Sequence, residues 1–490
     1  MKSETTLNYS NDIVQYTELL NLEYMLPQTP IINKSIQILS AAKGNSKPEI
    51  LCITSYPPRE CGIATYSQDL IKSLRSKFED SFSFSICAVD NGVYSYPGEV
   101  KCVLNASDPN SYSELANSIN SNPSVGAVMI QHEFGFFHNQ EKIFLQFLHS
   151  ITKPIVIVFH TVLPQPNEEF KMNVRDIASA CGSIIVMTNN SAQLLANDYG
   201  IPRQKVTVIH HGTHLVQHLD KDSLKEKYGL KGKKVLSTFG LLSSGKSIET
   251  TLDSLPAIIK TNPDVAFLVI GKTHPSVVMH EGEQYRESLE KKVKELKLQA
   301  HVYFINKYLP LPMLLEYLQL TDIYLFTSKD PNQAVSGTFS YAISCGCPII
   351  STPIPHAKEI LGNDSRVFFD FGNTKQLSEA VNRLLYDEQL RVNISLNGLH
   401  RMASTAWENA AIAHATLFEK VSDNKISLQY SLPGYNLDHI KKMTSDFGMI
   451  QFSKINQPDP SSGYTLDDNA RAMIALCRHY ELTKDKTDLK

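Results

Sequence analysis

A lysine framed by glycines, a Ser-Gly-Thr turn and two histidines that end apolar runs are the residues of this chain best suited to chemistry. The lysine lies in Phe239-Gly240-Leu241-Leu242-Ser243-Ser244-Gly245-Lys246-Ser247-Ile248-Glu249. An apolar run enters this loop and a helical pattern leaves it. Backbone N–H groups and an ammonium would therefore meet an anion at a helix start. The letters also satisfy G-x-x-x-x-G-K-[ST], the phosphate loop of nucleotide hydrolases. That chemistry needs an aspartate at the far end of a strand, whereas Asp322 opens an apolar run. The second piece is Asp330-Pro331-Asn332-Gln333-Ala334-Val335-Ser336-Gly337-Thr338. Ser336, Gly337 and Thr338 offer amides and hydroxyls to a phosphate, and a plain helix cap is the competing reading.

Three further sites sit at the ends of apolar runs. Gly62 lies in Tyr56-Pro57-Pro58-Arg59-Glu60-Cys61-Gly62, a loop that leads into a helical pattern, as an anion site or an ordinary turn would. His132 and Glu133 follow one run and His160 follows the next. Neutral imidazole both donates and accepts, which suits sugar hydroxyls; a His–Glu pair bracing a loop is the alternative. Asp467 and Asp468 form either a carboxylate site or a helix start paired with Arg471. The eight cysteines show no C-x-x-C pair and suggest reduced thiols in a cytoplasmic protein. No metal-ligand cluster is evident, so metal independence is expected.

The elements that must position these groups alternate. Strand-like runs at 50–54, 84–89, 127–130, 155–159, 183–187 and 206–209 are separated by helical patterns such as 65–77, 141–149 and 191–199. A charged stretch at 212–234 interrupts the pattern. It restarts with runs at 235–239, 265–270, 302–304, 323–326, 348–351 and 366–369, and closes with a long helical stretch over 389–421. Alternation of this kind gives parallel sheets covered on both faces, with ligands at the carboxyl ends of the strands. The expected organisation is a polar extension over 1–47 with one helix near 13–24, a first α/β domain over 48–215, a second over 216–421 and the start of an α-helical domain over 422–490. In the last segment a loop at 430–434 precedes helices at 437–445 and 468–482. A formal net charge of −3 gives no reason to expect a nucleic-acid partner. No apolar run reaches the roughly 20 residues of a membrane span, and the polar N-terminus shows no secretory signal.

Taken together, the segments Ser55–Leu70, Gln131–Phe137, Phe159–Pro166, His210–His214, Phe239–Glu249 and Asn332–Pro353 resemble the family 4 retaining glycosyltransferases, which have the GT-B fold of two Rossmann-like domains facing a cleft. The resemblance covers about residues 49–421. It implies that Gly62 and Gly240 lie near the donor, and that His160 contacts the transferred sugar. Lys246 would hold the diphosphate, and Gln333, Ser336, Gly337, Thr338 and Tyr341 would line the donor site. His132 and Glu133 are candidates for acceptor or sugar contacts. Two departures stand out. Leu241 replaces the usual arginine beside the second glycine loop. Gln333 and Tyr341 replace a pair of glutamates, the second of which takes the ribose hydroxyls. The tail around Gly463–Arg471 resembles the opening of a helical toroid domain attached to some of these enzymes.

The resemblance implies a retaining, metal-independent transfer of a hexose, mannose or glucose, from a UDP- or GDP-linked donor to a sugar or glycoconjugate acceptor. Lys246, His160 and Gln333 would carry the reaction. A retaining phosphorylase on the same fold and a sugar-binding protein without catalysis are the alternatives. The sequence leaves the oligomeric state open.

Overall fold

The computed structural model describes residues 47–489 other than 363, 423–424, 432–433 and 455–456. The helix expected near 13–24 lies outside the described residues. In the first half, seven parallel strands run in the order β3-β2-β1-β4-β5-β6-β7. They are Glu49–Thr54 (β1), Ser83–Asp90 (β2), Val100–Asn105 (β3), Val125–His132 (β4), Ile155–Phe159 (β5), Ser183–Val186 (β6) and Val206–Val208 (β7). Side chains alternate across β1, as strand geometry requires. Leu51 and Ile53 enter one core layer, which also holds Phe144 and Ile177. Ile50 and Cys52 enter the opposite layer, with Leu70 and Leu74 of helix Gly62–Phe78 (α1).

The second half is a five-stranded parallel sheet in the order β10-β9-β8-β11-β12. Its strands are Lys234–Phe239 (β8), Val265–Ile270 (β9), Val302–Ile305 (β10), Ile323–Phe326 (β11) and Ile349–Ser351 (β12). Helices Ile248–Thr261 (α2) and Gly337–Ser344 (α3) follow β8 and β11. Strand order reverses between β1 and β4 in one sheet and between β8 and β11 in the other. These are the switch points at which open α/β sheets form crevices.

Several expectations are corrected. The strand expected at 366–369 is a single bridge, Ser351 to Phe368. β3 was missed because it is an edge strand: Val100, Cys102 and Leu104 are buried while Lys101 faces out. The long helix expected over 389–421 breaks at a 3-10 turn, Ala403–Thr405, into Glu388–Met402 and Trp407–Val421 (α4). Ala406 is extended at the break and pairs with Thr213 of the linker. α4 then returns to the first half, where Trp407, Ala411 and Phe418 join the α1 side of the core. Gly212 makes this crossing fit, since a Cβ there would lie 2.1 Å from Trp407 Cδ2. The helix expected at 437–445 is Asp438–Met443, followed by a two-stranded hairpin of Thr444–Ser445 and Gly448–Met449. The last helix, Leu466–Thr483 (α5), buries Ala472 and exposes Leu466, Met473, Ile474 and Leu482.

Candidate active site

Lys246 does not lie in the first turn of α2. It closes a 3-10 turn, Ser244–Lys246, after which Ser247 in the left-handed region (φ 50°, ψ 40°) caps the helix. The turn aims the lysine back at the end of β8. Gly240 has φ +131°, and a Cβ there would lie 2.9 Å from Lys246 Nζ and 3.0 Å from Thr338 Cγ2. Glycine at 240 thus lets the ammonium and the start of α3 converge. Burial lowers the Lys246 pKa to about 8, and among the described residues no carboxylate pairs with it. A buried cation with no paired carboxylate is a candidate for binding an anion. Asp322 pairs with Lys225 at 2.7 Å and accepts from Val235 N at the opposite end of the sheet, which removes the hydrolase reading of this loop.

At the start of α3, Ser336 Oγ accepts from Phe339 N at 3.4 Å and contacts Thr338 Oγ1 at 3.0 Å, so its side chain is the helix cap. Its amide donates to His356 Nδ1 at 3.2 Å. The amides of Gly337 and Thr338 are therefore the open donors of this helix's first turn. His211 approaches from the linker: its Nε2 lies 3.2 Å from where a Gly337 Cβ would stand. His211 Nδ1 donates to Gly212 O at 2.8 Å, which leaves Nε2 as an acceptor. Gln333 sits just before the turn and donates from Nε2 to Val335 O at 3.3 Å.

The first half presents His160 at the end of β5. Its Nε2 donates to the buried Gln131 Oε1 at 2.7 Å, and its ring meets Tyr66 edge-on at 5.1 Å. Burial, with His211 and His132 adding like charge, lowers its pKa to about 3. Burial likewise lowers His211 to about 4 and His356 to about 3, so all three imidazoles are neutral hydrogen-bonding groups near pH 7. Gly62 is the exposed first residue of α1, behind a cap by Cys61, whose Sγ accepts from Ala64 N at 3.4 Å. Cys61 is thus a structural cap. Arg59 lies with its guanidinium 4.9 Å over the Phe136 ring. Together with Lys246 it lowers the pKa of His274 beyond the effect of burial, so both halves direct positive charge to one place.

Two expected contacts fall elsewhere. His132 is 2% exposed and enclosed by Phe134, Phe137, Phe144 and Phe159, because strand alternation turns it into the core layer away from α1. Glu133 caps the turn Phe134–Phe137 and accepts from Thr161 Oγ1 at 2.7 Å; burial raises its pKa. It therefore braces the loop. Tyr341 is in the cleft, but its hydroxyl donates to Asp69 Oδ2 at 2.6 Å across the two halves. Asp69, His211, His214 and His356 were not found from the sequence as single residues. The cluster His210-His211-Gly212-Thr213-His214 was the available signal for two of them.

In the tail, Asp467 and Asp468 pair with Arg471 at 3.2 and 3.6 Å, as a helix start does. Among the described residues one group has metal-ligand spacing, His479, Asp485 and Asp488. Lys441 already pairs with both carboxylates, at 3.4 Å from Asp485 and 2.7 Å from Asp488. No helix among the described residues is long and apolar enough to cross a membrane.

Residues 220–401 match the family described as Glycosyl transferases group 1. The chain is 23% identical over 250 residues to spore coat protein SA of Bacillus subtilis (strain 168), a match covering 48% of this chain and 64% of that protein. It is 24% identical over 223 residues to the lipopolysaccharide core biosynthesis mannosyltransferase LpsB of Rhizobium meliloti (strain 1021), covering 44% and 61%. The chain thus spans under two thirds of each of these relatives. Its structure resembles that of Anabaena HepE, solved in complex with UDP and glucose, with a TM-score of 0.60 and 16% identity over 76% of this chain and 100% of that one. At that identity the likeness establishes the fold. The arrangement is GT-B, as the sequence led us to expect.

Proposed function

We propose that the chain is a GT-B glycosyltransferase that moves a hexosyl group from a nucleoside diphosphate sugar to a carbohydrate acceptor, with retention at the anomeric carbon. The observation that carries this reading is the Lys246 ammonium, without a carboxylate partner among the described residues, set against the start of α3 across Gly240. Diphosphate charge grows as the sugar departs, and a cation with fixed amides stabilises that charge more in the transition state than in the ground state. The Gly337 and Thr338 amides supply the second set of donors. His160 orients the sugar as a neutral hydrogen-bonding group, and Gln333 contacts it from the other side. The bond from the anomeric carbon to the diphosphate oxygen breaks, and the acceptor oxygen bonds to the same face. The acceptor's proton passes to the leaving phosphate oxygen. Lysine charge takes the place of a metal ion in this scheme.

The group 1 match over the half that holds Lys246 supports the reaction class. LpsB, a mannosyltransferase, and HepE, which binds UDP and glucose, support mannose or glucose as the sugar and UDP as the carrier, with GDP the other carrier the sequence resemblance implies. We place the chain in a variant subgroup of family 4, acting in the cytoplasm, with residues 422–490 as the opening of a helical toroid domain. A phosphorylase reading has one observation in its favour: the Tyr341 hydroxyl donates its hydrogen to Asp69 and so has none to give a ribose. A thermal-shift panel of UDP, GDP, ADP and their sugars, followed by product analysis, tests the proposal, since a ligand of the folded state raises its melting temperature. Stabilisation by a nucleotide and transfer from its sugar are expected. Cleavage of an oligosaccharide that depends on phosphate and ignores nucleotides would select the phosphorylase instead.

A further inference from the structure

One edge of α1 grips the second half of the molecule. Glu60, just before the helix, forms an ion pair with Lys272 beside the Lys246 loop. Thr65 Oγ1 lies 3.0 Å from Tyr308 OH. One turn further on the same face, Asp69 Oδ2 accepts from Tyr341 OH at 2.6 Å and lies 3.3 Å from His214 Nε2. His214 belongs to the linker, and its ring lies tilted against that of Tyr341 with centroids 4.8 Å apart. A single carboxylate therefore joins α1 to α3 and lies beside the linker. Its side chain is 12% exposed and that of His214 16%, so water screens these contacts weakly.

The placement of Tyr341 gives the tie a purpose. Tyr341 lies four residues after Gly337 on α3, hence on the same helix face as that open first turn. Holding its hydroxyl fixes the rotation of α3 and the aim of the Gly337 and Thr338 amides. The far end of the tie is α1, whose first residue is the exposed Gly62. We propose that Asp69 is a positioning residue for the donor site, closing the cleft by accepting the Tyr341 hydrogen bond. The inference rests on the glycosyltransferase reading for its kinetic consequence, but not for its structural one.

Both are measurable. Asp69→Ala and Tyr341→Phe should each lower kcat/KM for the donor about tenfold, through a higher KM and a lower kcat together, since the amides they aim serve both in binding and in the transition state. The double variant should be no worse than the weaker single, because both remove one contact. Asp69→Asn, whose amide oxygen still accepts the Tyr341 hydrogen, should keep most of the wild-type kcat/KM. Spin labels at the exposed Lys142 and Lys291, in a Cys477→Ser background, should report a longer distance between the halves in Asp69→Ala. An unchanged distance, or additive kinetic losses, overturns the proposal. A lengthened distance in a chain that transfers no sugar upholds the clasp and removes the transferase reading. Normal transfer with unaltered donor kcat/KM in both single variants does the reverse.

Discussion

Of the buried groups Lys246, His160, His211 and His356, Lys246 is the one whose charge changes near working pH. Burial places it at about 8, while His160, His211 and His356 lose their protons near pH 3 to 4. Once the donor phosphate's own ionisation at about pH 6 is subtracted, donor affinity should fall as pH rises through about 8, and Lys246→Arg should abolish the fall. Calorimetry of a nucleoside diphosphate against pH reads this directly. Stability moves the other way. Between the folded value of about 8 and the ordinary 10.5 the unfolded chain binds more protons, so the Lys246 contribution to stability rises with pH over that window. His132 makes a contrasting case. Its Nδ1 is buried without a hydrogen-bond partner amid phenylalanine rings. His132→Phe should retain transfer and melt at or above the wild-type temperature, since an unmet polar atom costs roughly 1–3 kcal/mol. Loss of transfer in a folded His132→Phe protein would restore it to the site. The sequence distinguished His160 from His132 poorly, because both end a strand and one residue of register decides which face a side chain takes.

At the scale of elements, the crossing of the linker and α4 decides how the halves stand. Thr213 N donates to Thr405 O at 2.9 Å and Trp407 N to Thr213 O at 3.0 Å, so the two connecting segments run side by side. Trp407, 4% exposed, plugs the junction between His211 and Tyr66. Gly212→Ala would drive a methyl into that ring, and Trp407→Ala would empty it at a cost of about 3–5 kcal/mol. Both should shift the denaturant midpoint down, and an unchanged midpoint for both would show that the junction does not hold the fold. The buried parallel strands were legible as apolar runs bounded by turns, and so were the loops that follow them. The break in the last helix was not. Residues 403–405 are compatible with a helix by propensity, and only the need to return α4 to the first core interrupts it.

For the whole molecule, each sheet has its own switch point, contacts such as Glu60–Lys272 and Asp69–Tyr341 join the two halves, and each of the two candidate phosphate segments of the second half follows a switch strand, β8 or β11. This is why glycine loops far apart in sequence could be read as one site. What the chain alone did not disclose is which residues the halves share, because Asp69 and Tyr341 are 272 positions apart. The central claim is that Lys246 holds the diphosphate of a sugar donor. Its most direct test is calorimetric titration of UDP and GDP into the wild type and Lys246→Ala, with circular dichroism confirming that both are folded. The account predicts binding of at least one nucleotide by the wild type and a loss of about a hundredfold in the variant, the scale of removing a charge-stabilising donor. Equal affinity in the two folded proteins would contradict it.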